Sequence, residues 1–299
     1  MREATLALMS DVTNVRSEPL TGGSSAFVTR LTLESADGEV RHAVFRQHTD
    51  RTGKAHGSLV ASKEFHLTKR LADMGFEVAR PLALHGSETA DGSWLATEWI
   101  EGSTVVPTTG IAPALRQMAD FLGRLHEVDI GDLEAPGLVG IEDPVDALRS
   151  AVPETVAGES LVSILDTGVR RAPNADSVLH GDFWPGNVLF HQGELVAVLD
   201  WEDALLGDPL VDLACARVEL TCAYGQKACD DFTTAYLTGA ASRSEPLVLD
   251  DLSLWEAYVS ATALRSMHRW GLSPDDEATR RATTHDFFAA AATRIIAAK

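Results

Sequence analysis

Cysteine and positive charge are scarce in this chain of 299 residues, and each scarcity argues against a class of protein. The 3 cysteines are an odd number without CxxC spacing, which argues against a disulfide framework and a cysteine-based zinc site. Lys and Arg number 25 against 44 Asp and Glu, and the formal net charge of −19 argues against a nucleic-acid partner. No run of 18 apolar residues occurs, so we expect no membrane span.

The spacing of the cysteines carries a further expectation. Cys215, Cys222 and Cys229 recur every seven residues, which predicts small buried side chains on one helix face. Reduced thiols, together with an N-terminus that lacks a charged-then-apolar leader, favour a cytoplasmic protein.

The excess of negative charge is uneven along the chain. Residues 1–98 hold 11 Lys and Arg and 13 Asp and Glu, whereas residues 99–299 hold 14 and 31. The net charges are therefore −2 and −17. An acidic surface around a cleft attracts cations, although the same acidity is also typical of a solubility or salt-adaptation trait.

The most informative stretch is residues 180–190, which read HGDFWPGNVLF. Its last three residues predict a short buried strand, and Leu195 to Leu199 predict the partner strand, with Gly193 in a tight turn between them. A hairpin brings its two open ends together, so we expect Asn187 and Asp200 to be neighbours.

This arrangement predicts a chemistry. Asp182 lies on the loop just before the first strand, so an Asp, an Asn and a second Asp converge. Phosphoryl transfer from ATP needs such a set, because one carboxylate positions the attacking hydroxyl and accepts its proton. An amide oxygen and a further carboxylate hold Mg²⁺ over the phosphates.

The pattern His180-x-Asp182-x4-Asn187, followed by LDWEDALLGDPLVDLA at residues 199–214, resembles the aminoglycoside phosphotransferase and choline kinase family. The resemblance implies a two-lobed, protein-kinase-like α+β fold that uses Mg²⁺ and ATP or GTP. It implies that Asp182 is the catalytic residue and that Asn187 and Asp200 are the metal ligands. It further implies that His180 braces the loop and that Asp212 holds it by hydrogen bonds.

The resemblance also assigns the nucleotide site. The residues that it places around the nucleotide are Gly22, Gly23 and Ser24 in a phosphate-covering loop, Val44 and Arg46 on one strand face, Glu64 on a helix, and Glu98, Trp99 and Ile100 in a hinge. Arg46 stands where the family carries Lys, and the resemblance implies Glu64 as its partner. An Arg keeps the charge but presents a planar fork of donors, so nucleotide geometry and nucleotide choice stay open.

The secondary-structure pattern fits two lobes. Strands are predicted over 26–33 and 40–47, and a helix over 58–74 with Leu67, Leu71 and Met74 on one face. A helix over 114–126 carries five apolar residues on one face and ends at His126, for which we expect a structural role. We place the nucleotide-binding lobe at residues 1–101, with its hinge at 98–102, and the catalytic and acceptor-binding lobe at 102–299.

The expected function is transfer of the γ-phosphoryl group to a hydroxyl of a small acceptor. The acidic second half favours an amine-bearing acceptor, with Glu202 and Asp203 as candidate contributors to its site. A neutral sugar or macrolide acceptor, and a nucleotide-binding protein without catalysis, are the alternatives. The acceptor's identity, the choice between resistance and metabolism, and the oligomeric state stay open.

Overall fold

The computed structural model describes residues 8–20, 26–48, 54–86, 93–104, 110–133, 135–141, 143–151, 174–240 and 246–298. The chain divides into two units. The first contains the residues up to Gly102 together with Gly131–Leu138 and Val196–Glu202, and the second contains the remainder. The first unit therefore includes two short segments from beyond residue 102, among them the segment that carries Asp200.

The first unit is built on a five-stranded antiparallel sheet with the strand order β1-β2-β3-β5-β4. The strands are β1 (Val12–Pro19), β2 (Ala26–Ser35), β3 (Val40–His48), β4 (Pro81–His85) and β5 (Trp94–Glu98). Strands β2 and β3 lie where strands are predicted and pair as a hairpin. Gly38 in its turn has φ 88°, a left-handed conformation that glycine adopts without strain. Strand β3 is central, so β2 and β5 both fix its backbone.

Alternation along β3 separates a core face from the face that carries Arg46. Ala43 and Phe45 are buried in an apolar cluster with Leu31 and Leu33 of the neighbouring strand. Val44 and Arg46 alternate with these residues and are half-buried. The predicted shared face of Val44 and Arg46 follows from the two-residue period of a strand.

Helix α1 (Lys54–Asp73) begins four residues before the predicted start. Leu67 and Leu71 are fully buried, as the helical spacing predicts. Met74 does not join them: it follows the helix and is 40% exposed, so its placement on the apolar face was wrong. The helix ends at this point because Gly75 takes φ 87° and turns the chain away from the helical path.

The second unit is mostly helical. Its helices are α2 (Ile111–Leu125), α3 (Pro144–Ala151), α4 (Leu210–Tyr224), α5 (Gln226–Ala240), α6 (Leu252–Ser266) and α7 (Pro274–Ala297). The predicted apolar face of α2, formed by Leu115, Met118, Phe121, Leu122 and Leu125, is buried throughout. One apolar cluster joins α3, α6 and α7. No helix within the described ranges has both the length and the apolar character to cross a membrane.

Two small sheets carry the predicted site loops. Strands β6 (Ser177–Leu179) and β9 (Leu205–Gly207) pair antiparallel. Strands β7 (Val188–His191) and β8 (Glu194–Val198) form the predicted hairpin, and its turn residues Gln192 and Gly193 both have positive φ. The chain enters the first unit within β8, at Val196.

The three cysteines do not share one helix. Cys215 and Cys222 lie on α4, whereas Cys229 lies on α5, because Gly225 with φ 83° separates the two helices. The prediction of a single helix face was therefore wrong. The prediction of free, largely buried thiols is confirmed, since Cys215 and Cys229 are buried and Cys222 is half-buried.

Candidate active site

The loop around Asp182 lies in the second unit, between β6 and β7. Gly181 has φ 83°, and a Cβ placed on it would lie 2.2 Å from the carbonyl oxygen of Asp203. Any other residue at this position is therefore excluded on two grounds, a left-handed backbone and a backbone collision. Pro185–Asn187 then form a single 3₁₀ turn that leads into β7. The sequence HGD thus specifies a sharply bent loop.

The start of this loop is fastened to Asp212 on α4. The backbone N–H of His180 donates to Asp212 Oδ2 at 2.7 Å, and the backbone N–H of Gly181 donates to Oδ1 at 2.8 Å. The ring of His126 hydrogen-bonds to Oδ2 through Nε2 at 3.1 Å, while its Nδ1 pairs with the hydroxyl of Tyr236 at 2.7 Å. Asp212 therefore has the geometry that the resemblance implies, and His126 supports it from the end of α2.

The electrostatics of Asp212 favour an ionised carboxylate. Burial by itself would raise the pKa, but the hydrogen bond and the charge of His126, the charge of His180 and the backbone N–H of His180 together lower it below the ordinary value. A buried carboxylate that accepts several hydrogen bonds is a strong and directional anchor. The loop therefore starts from a fixed position.

The carboxylate of Asp182 is oriented by its neighbours in the same unit. Asn187 donates from Nδ2 to the backbone oxygen of Asp182 and to its Oδ2, both at 2.9 Å. The N–H of Asp182 donates to Nδ1 of the buried His180 at 3.2 Å, which fits the predicted bracing role of His180. Because Nδ2 of Asn187 points to Asp182, the amide oxygen is directed away from it.

Cys215 also contacts Asp182, and sequence reasoning treated it only as a small buried side chain. Its Sγ donates to Asp182 Oδ1 at 3.9 Å. Burial and the Asp182 carboxylate raise the pKa of the thiol well above its ordinary value, so the thiol stays protonated and can donate. The sequence offered one signal for this contact. Cys215 follows Asp212 by three residues on the same helix, so both side chains face the loop.

The first unit gathers three carboxylates around Arg46. Its Nη1 donates to Glu64 at 2.7 Å, and its Nη2 donates to Asp200 at 2.7 Å and to Glu202 at 3.2 Å. The implied Arg46–Glu64 ion pair is present. The contacts to Asp200 and Glu202 join residues that are more than 150 positions apart in sequence.

The segment Val196–Glu202 places these acids. Val198 forms a parallel bridge with Val78, and its N–H donates to the Glu77 carbonyl at 2.7 Å. The buried ring of Trp201 donates to the Val198 carbonyl at 3.0 Å. Asp200 itself has φ 66°, a left-handed conformation that is uncommon outside glycine and recurs at functional sites.

The charges of this cluster are unequal. Burial would lower the pKa of Arg46, but the Glu64, Asp200 and Glu202 carboxylates raise it well above its ordinary value. Glu64 is buried, and burial raises its pKa to about 7 although Arg46 opposes the shift. For Glu64 burial is the largest cause, and the neighbouring Asp200 and Glu202 carboxylates add to it, so ionisation of this buried acid is disfavoured.

The predicted hinge lies at the end of β5. The N–H of Glu98 donates to the Arg80 carbonyl and the N–H of Arg80 donates to the Glu98 carboxylate, both at 2.9 Å. The Trp99 ring lies 4.3 Å from the guanidinium of Arg30. Ile100 follows outside the strand and is half-buried. The predicted phosphate-covering residues Gly22, Gly23 and Ser24 lie outside the described residues.

The two candidate acceptor residues fall in different units. Glu202 belongs to the first unit, where its carboxylate binds Arg46, and Asp203 belongs to the second, where its side chain is exposed. Asn187 and Asp200 are likewise in different units, so their sharing of one Mg²⁺ stays a prediction. Within the described ranges no group of three or more His, Cys, Asp or Glu side chains could hold a metal ion.

Comparison with known proteins assigns the family. Residues 18–247 match the model of the phosphotransferase enzyme family, and the chain belongs to it. A solved aminoglycoside 2'-phosphotransferase-IIIa, in its GDP complex, matches with a TM-score of 0.67 and 16% identity over 97% of both chains. The chain therefore has the kinase-like α+β fold of this family, as the resemblance implied.

Two curated relatives show how far the likeness extends. Acyl-CoA dehydrogenase family member 11 from Homo sapiens is 28% identical over 171 residues, which is 51% of this chain and 22% of that protein. Viomycin phosphotransferase from Streptomyces vinaceus is 24% identical over 209 residues, covering 60% of this chain and 70% of that protein. The chain thus spans less than a quarter of the length of the first of these relatives.

Proposed function

We propose that this protein transfers the γ-phosphoryl group of ATP, or of GTP, to a hydroxyl of a small-molecule acceptor. The observation that carries the proposal is the loop of Asp182. The backbone N–H groups of His180 and Gly181 donate to the buried Asp212. The side chain of Asn187 donates to the carboxylate of Asp182. Membership of the phosphotransferase enzyme family supports the same chemistry.

In this proposal Asp182 is the catalytic residue. Its carboxylate orients the acceptor hydroxyl and receives the proton as the new bond to phosphorus forms. Each carboxylate oxygen has two lone pairs, so hydrogen bonds from Asn187 and Cys215 leave capacity for a hydroxyl. Most of the rate acceleration comes from positioning and from charge neutralisation, because phosphoryl transfer needs little covalent help from the protein.

In this proposal Asp200 and Asn187 are the ligands of a magnesium ion. Asp200 offers a carboxylate whose side chain is 35% exposed, and Asn187 offers the amide oxygen that does not face Asp182. Oxygen atoms of this kind are the ligands that Mg²⁺ prefers. When bound with the nucleotide, Mg²⁺ would neutralise phosphate charge. Asp200 and Asn187 would hold it.

The first unit would bind the nucleotide. Arg46 would contact the phosphates, and Glu64 would hold its guanidinium on that strand face beside Val44. The backbone of Glu98, Trp99 and Ile100 would bind the adenine, and Gly22, Gly23 and Ser24 would cover the phosphates. Residues 1–101 would then form the nucleotide-binding lobe and 102–299 the catalytic and acceptor-binding lobe.

The acceptor is proposed to carry amine groups. The net charge of −17 over residues 99–299 supports this class, because acidic surface draws cations toward it. Asp203, which is exposed, and Glu202, when not bound to Arg46, would contribute to this field. A neutral sugar or macrolide is the alternative acceptor, and a solved macrolide 2'-phosphotransferase shares the fold, with a TM-score of 0.63 and 19% identity over 93% of this chain and 94% of that one.

A nucleotide-binding protein without catalysis is the second candidate. It is favoured by Arg46, which stands in place of Lys and already binds the predicted metal ligand Asp200. In that case MgATP would bind, but no acceptor would be phosphorylated.

The test is a screen of amine-bearing and sugar alcohols for acceptor-dependent ADP release. Detection of the phosphorylated acceptor by mass spectrometry, lost in Asp182→Asn, would support the proposed function. MgATP binding without any phosphorylated product would favour the second candidate. A salt series on the acceptor found then tests the charge argument, since screening at about 0.15 M salt acts over about 8 Å. A neutral acceptor whose affinity is independent of salt would show that the acidic surface has no part in recognition.

A further inference from the structure

Trp184 occupies a constrained place in the loop, two residues after Asp182. Its indole ring lies directly against the backbone of Gly186: a Cβ on that glycine would be 2.3 Å from two ring atoms. A glycine is therefore required at position 186 for the ring to keep this position. The ring is thus part of the loop's own structure.

Arg280 holds this ring from the C-terminal helix. Its guanidinium carbon lies 5.3 Å from the centroid of Trp184 and 5.3 Å from that of Trp270, which precedes α7. The side chain is only 18% exposed. A planar cation packed on aromatic rings interacts favourably with their π faces, and desolvation strengthens the interaction.

Glu219 anchors the cation. Its buried carboxylate forms an ion pair with Arg280, and it lies on α4, the helix that also carries Asp212 and Cys215. Burial lowers the pKa of Arg280 below its ordinary value, although the nearby Asp182 carboxylate opposes the shift. A guanidinium stays protonated at all physiological pH values. Helix α4 therefore fastens the loop twice, at its first residues through Asp212 and at its centre through Glu219 and Arg280.

We propose that Arg280 is a positioning residue for catalysis: by holding the ring of Trp184 it fixes the loop between Asp182 and Asn187 and thereby the direction of the Asp182 carboxylate. The role needs a planar guanidinium, because Lys offers a point charge that cannot stack between two rings. The catalytic part of this inference rests on the proposed function. The structural part, a loop held from α7, does not.

The first experiment measures the loop directly. Amide hydrogen exchange of the peptide covering residues 182–187 is compared in wild type, Arg280→Ala, Arg280→Lys and Arg281→Ala. We expect about tenfold faster exchange in both Arg280 variants, because loss of a packing contact lowers the free energy of local opening. Arg281→Ala is the matched control, since the guanidinium of Arg281 donates to the Leu264 carbonyl on α6 and to Glu277 on α7.

Unchanged exchange of residues 182–187 in a folded Arg280→Ala or Arg280→Lys protein would overturn the inference. Arg280→Lys keeps the charge opposite Glu219, so it decides the question if Arg280→Ala does not fold. Faster exchange spread over the whole second unit in both variants would also overturn it, because it would show a general loss of stability.

The second experiment uses turnover with an acceptor from the screen. We expect Arg280→Ala to lower kcat about tenfold or more, because a misdirected catalytic group loses rate steeply, with the KM for nucleotide unchanged within about twofold. Added methylguanidinium should restore part of kcat in Arg280→Ala and have no effect on Arg281→Ala. An unchanged kcat in Arg280→Ala would contradict the role in positioning Asp182.

The two proposals fail in different ways. If wild type phosphorylates no acceptor, the proposed function fails and the exchange result still decides whether Arg280 holds the loop. If wild type is active and Arg280→Ala equals it in both kcat and exchange, only the role of Arg280 fails.

Discussion

The two units hold their charged groups in opposite ways. In the first unit one cation, Arg46, is surrounded by three carboxylates from a helix and from a returning segment. In the second unit a carboxylate, Asp212, is surrounded by backbone N–H groups and a histidine ring. In the first arrangement three carboxylates share one cation. One of these charged groups can therefore leave the cluster to bind another ligand. The second is balanced by backbone N–H groups and histidine rings, so it suits a fixed scaffold.

The largest expected effect is on turnover in the second unit. Asp182→Asn should lower kcat by about 10² to 10⁴ while leaving the fold and nucleotide affinity intact, because an amide keeps the shape but cannot accept the proton. Steady-state kinetics and calorimetry of MgATP binding measure the two quantities. Asp176→Asn, an exposed acid just before β6, is the control. A variant with near-normal turnover would remove Asp182 from the catalytic role.

The next effect tests the surplus charge of the first unit. Arg46→Ala should lower the free energy of unfolding by about 3 kcal/mol, because it leaves the buried Glu64 without its cation. Arg46→Lys should lose less and should retain substantial activity, since one charge remains. Urea denaturation and kinetics check both, and Glu64→Ala should reduce activity less than Arg46→Ala.

Arg41→Ala is the matched control for Arg46, on the same strand. Its guanidinium binds Glu39 with 55% of the side chain exposed, and exposed ion pairs contribute little. Equal stability of Arg46→Ala and Arg41→Ala would show that the three carboxylates do not depend on Arg46.

The third effect concerns the hydrogen bonds that Asp212 accepts in the second unit. Asp212→Asn should lower the free energy of unfolding by about 2 kcal/mol, because the charge that accepts the N–H groups of His180 and Gly181 is lost. In the wild type the pKa of Asp212 is lowered, so the carboxylate contributes stability above the unfolded pKa of about 3.9 and loses it as pH falls.

Acid titration of the free energy of unfolding measures this contribution. The wild type should lose stability on acidification below that unfolded pKa, and Asp212→Asn should lose less over the same range. Parallel curves for the two proteins would contradict the assignment of Asp212 as an ionised anchor. The exposed Asp176→Asn serves again as control.

The last prediction concerns the pH dependence of the stability that Glu64 contributes. Because burial raises its pKa from 4.5 to about 7, the folded protein keeps a proton that the unfolded chain releases. The stability that protonated Glu64 contributes is fully present below pH 4.5. It should be lost as pH rises through about 7, by at most about 1.4 kcal/mol per pH unit. Glu64→Gln, which resembles the protonated form, should show a flatter profile in urea denaturation between these pH values. A steeper profile in Glu64→Gln than in wild type would contradict a raised pKa of Glu64.

Local sequence determined much of the fold. The hairpin of β2 and β3, the buried face of α2 and the hairpin of β7 and β8 all follow from periodicity and turn residues, since these features depend on near neighbours. The pattern from His180 to Asn187 likewise predicted a loop that carries Asp182 just before β7. The prediction that the three cysteines share one helix face was wrong because α4 ends at Gly225. This glycine is a local signal that the argument from seven-residue spacing did not consider.

Only the tertiary structure decided which side chains contact each other. Glu202 was assigned to the acceptor by its place in the chain, yet the bridge between Val78 and Val198 brings it to Arg46. Arg280, Cys215 and His126 reach the Asp182 loop and its Asp212 anchor from three different helices. Residue type and spacing predicted which groups would act in phosphoryl transfer. Contacts between residues far apart in sequence depend on packing, and no period along the chain records them.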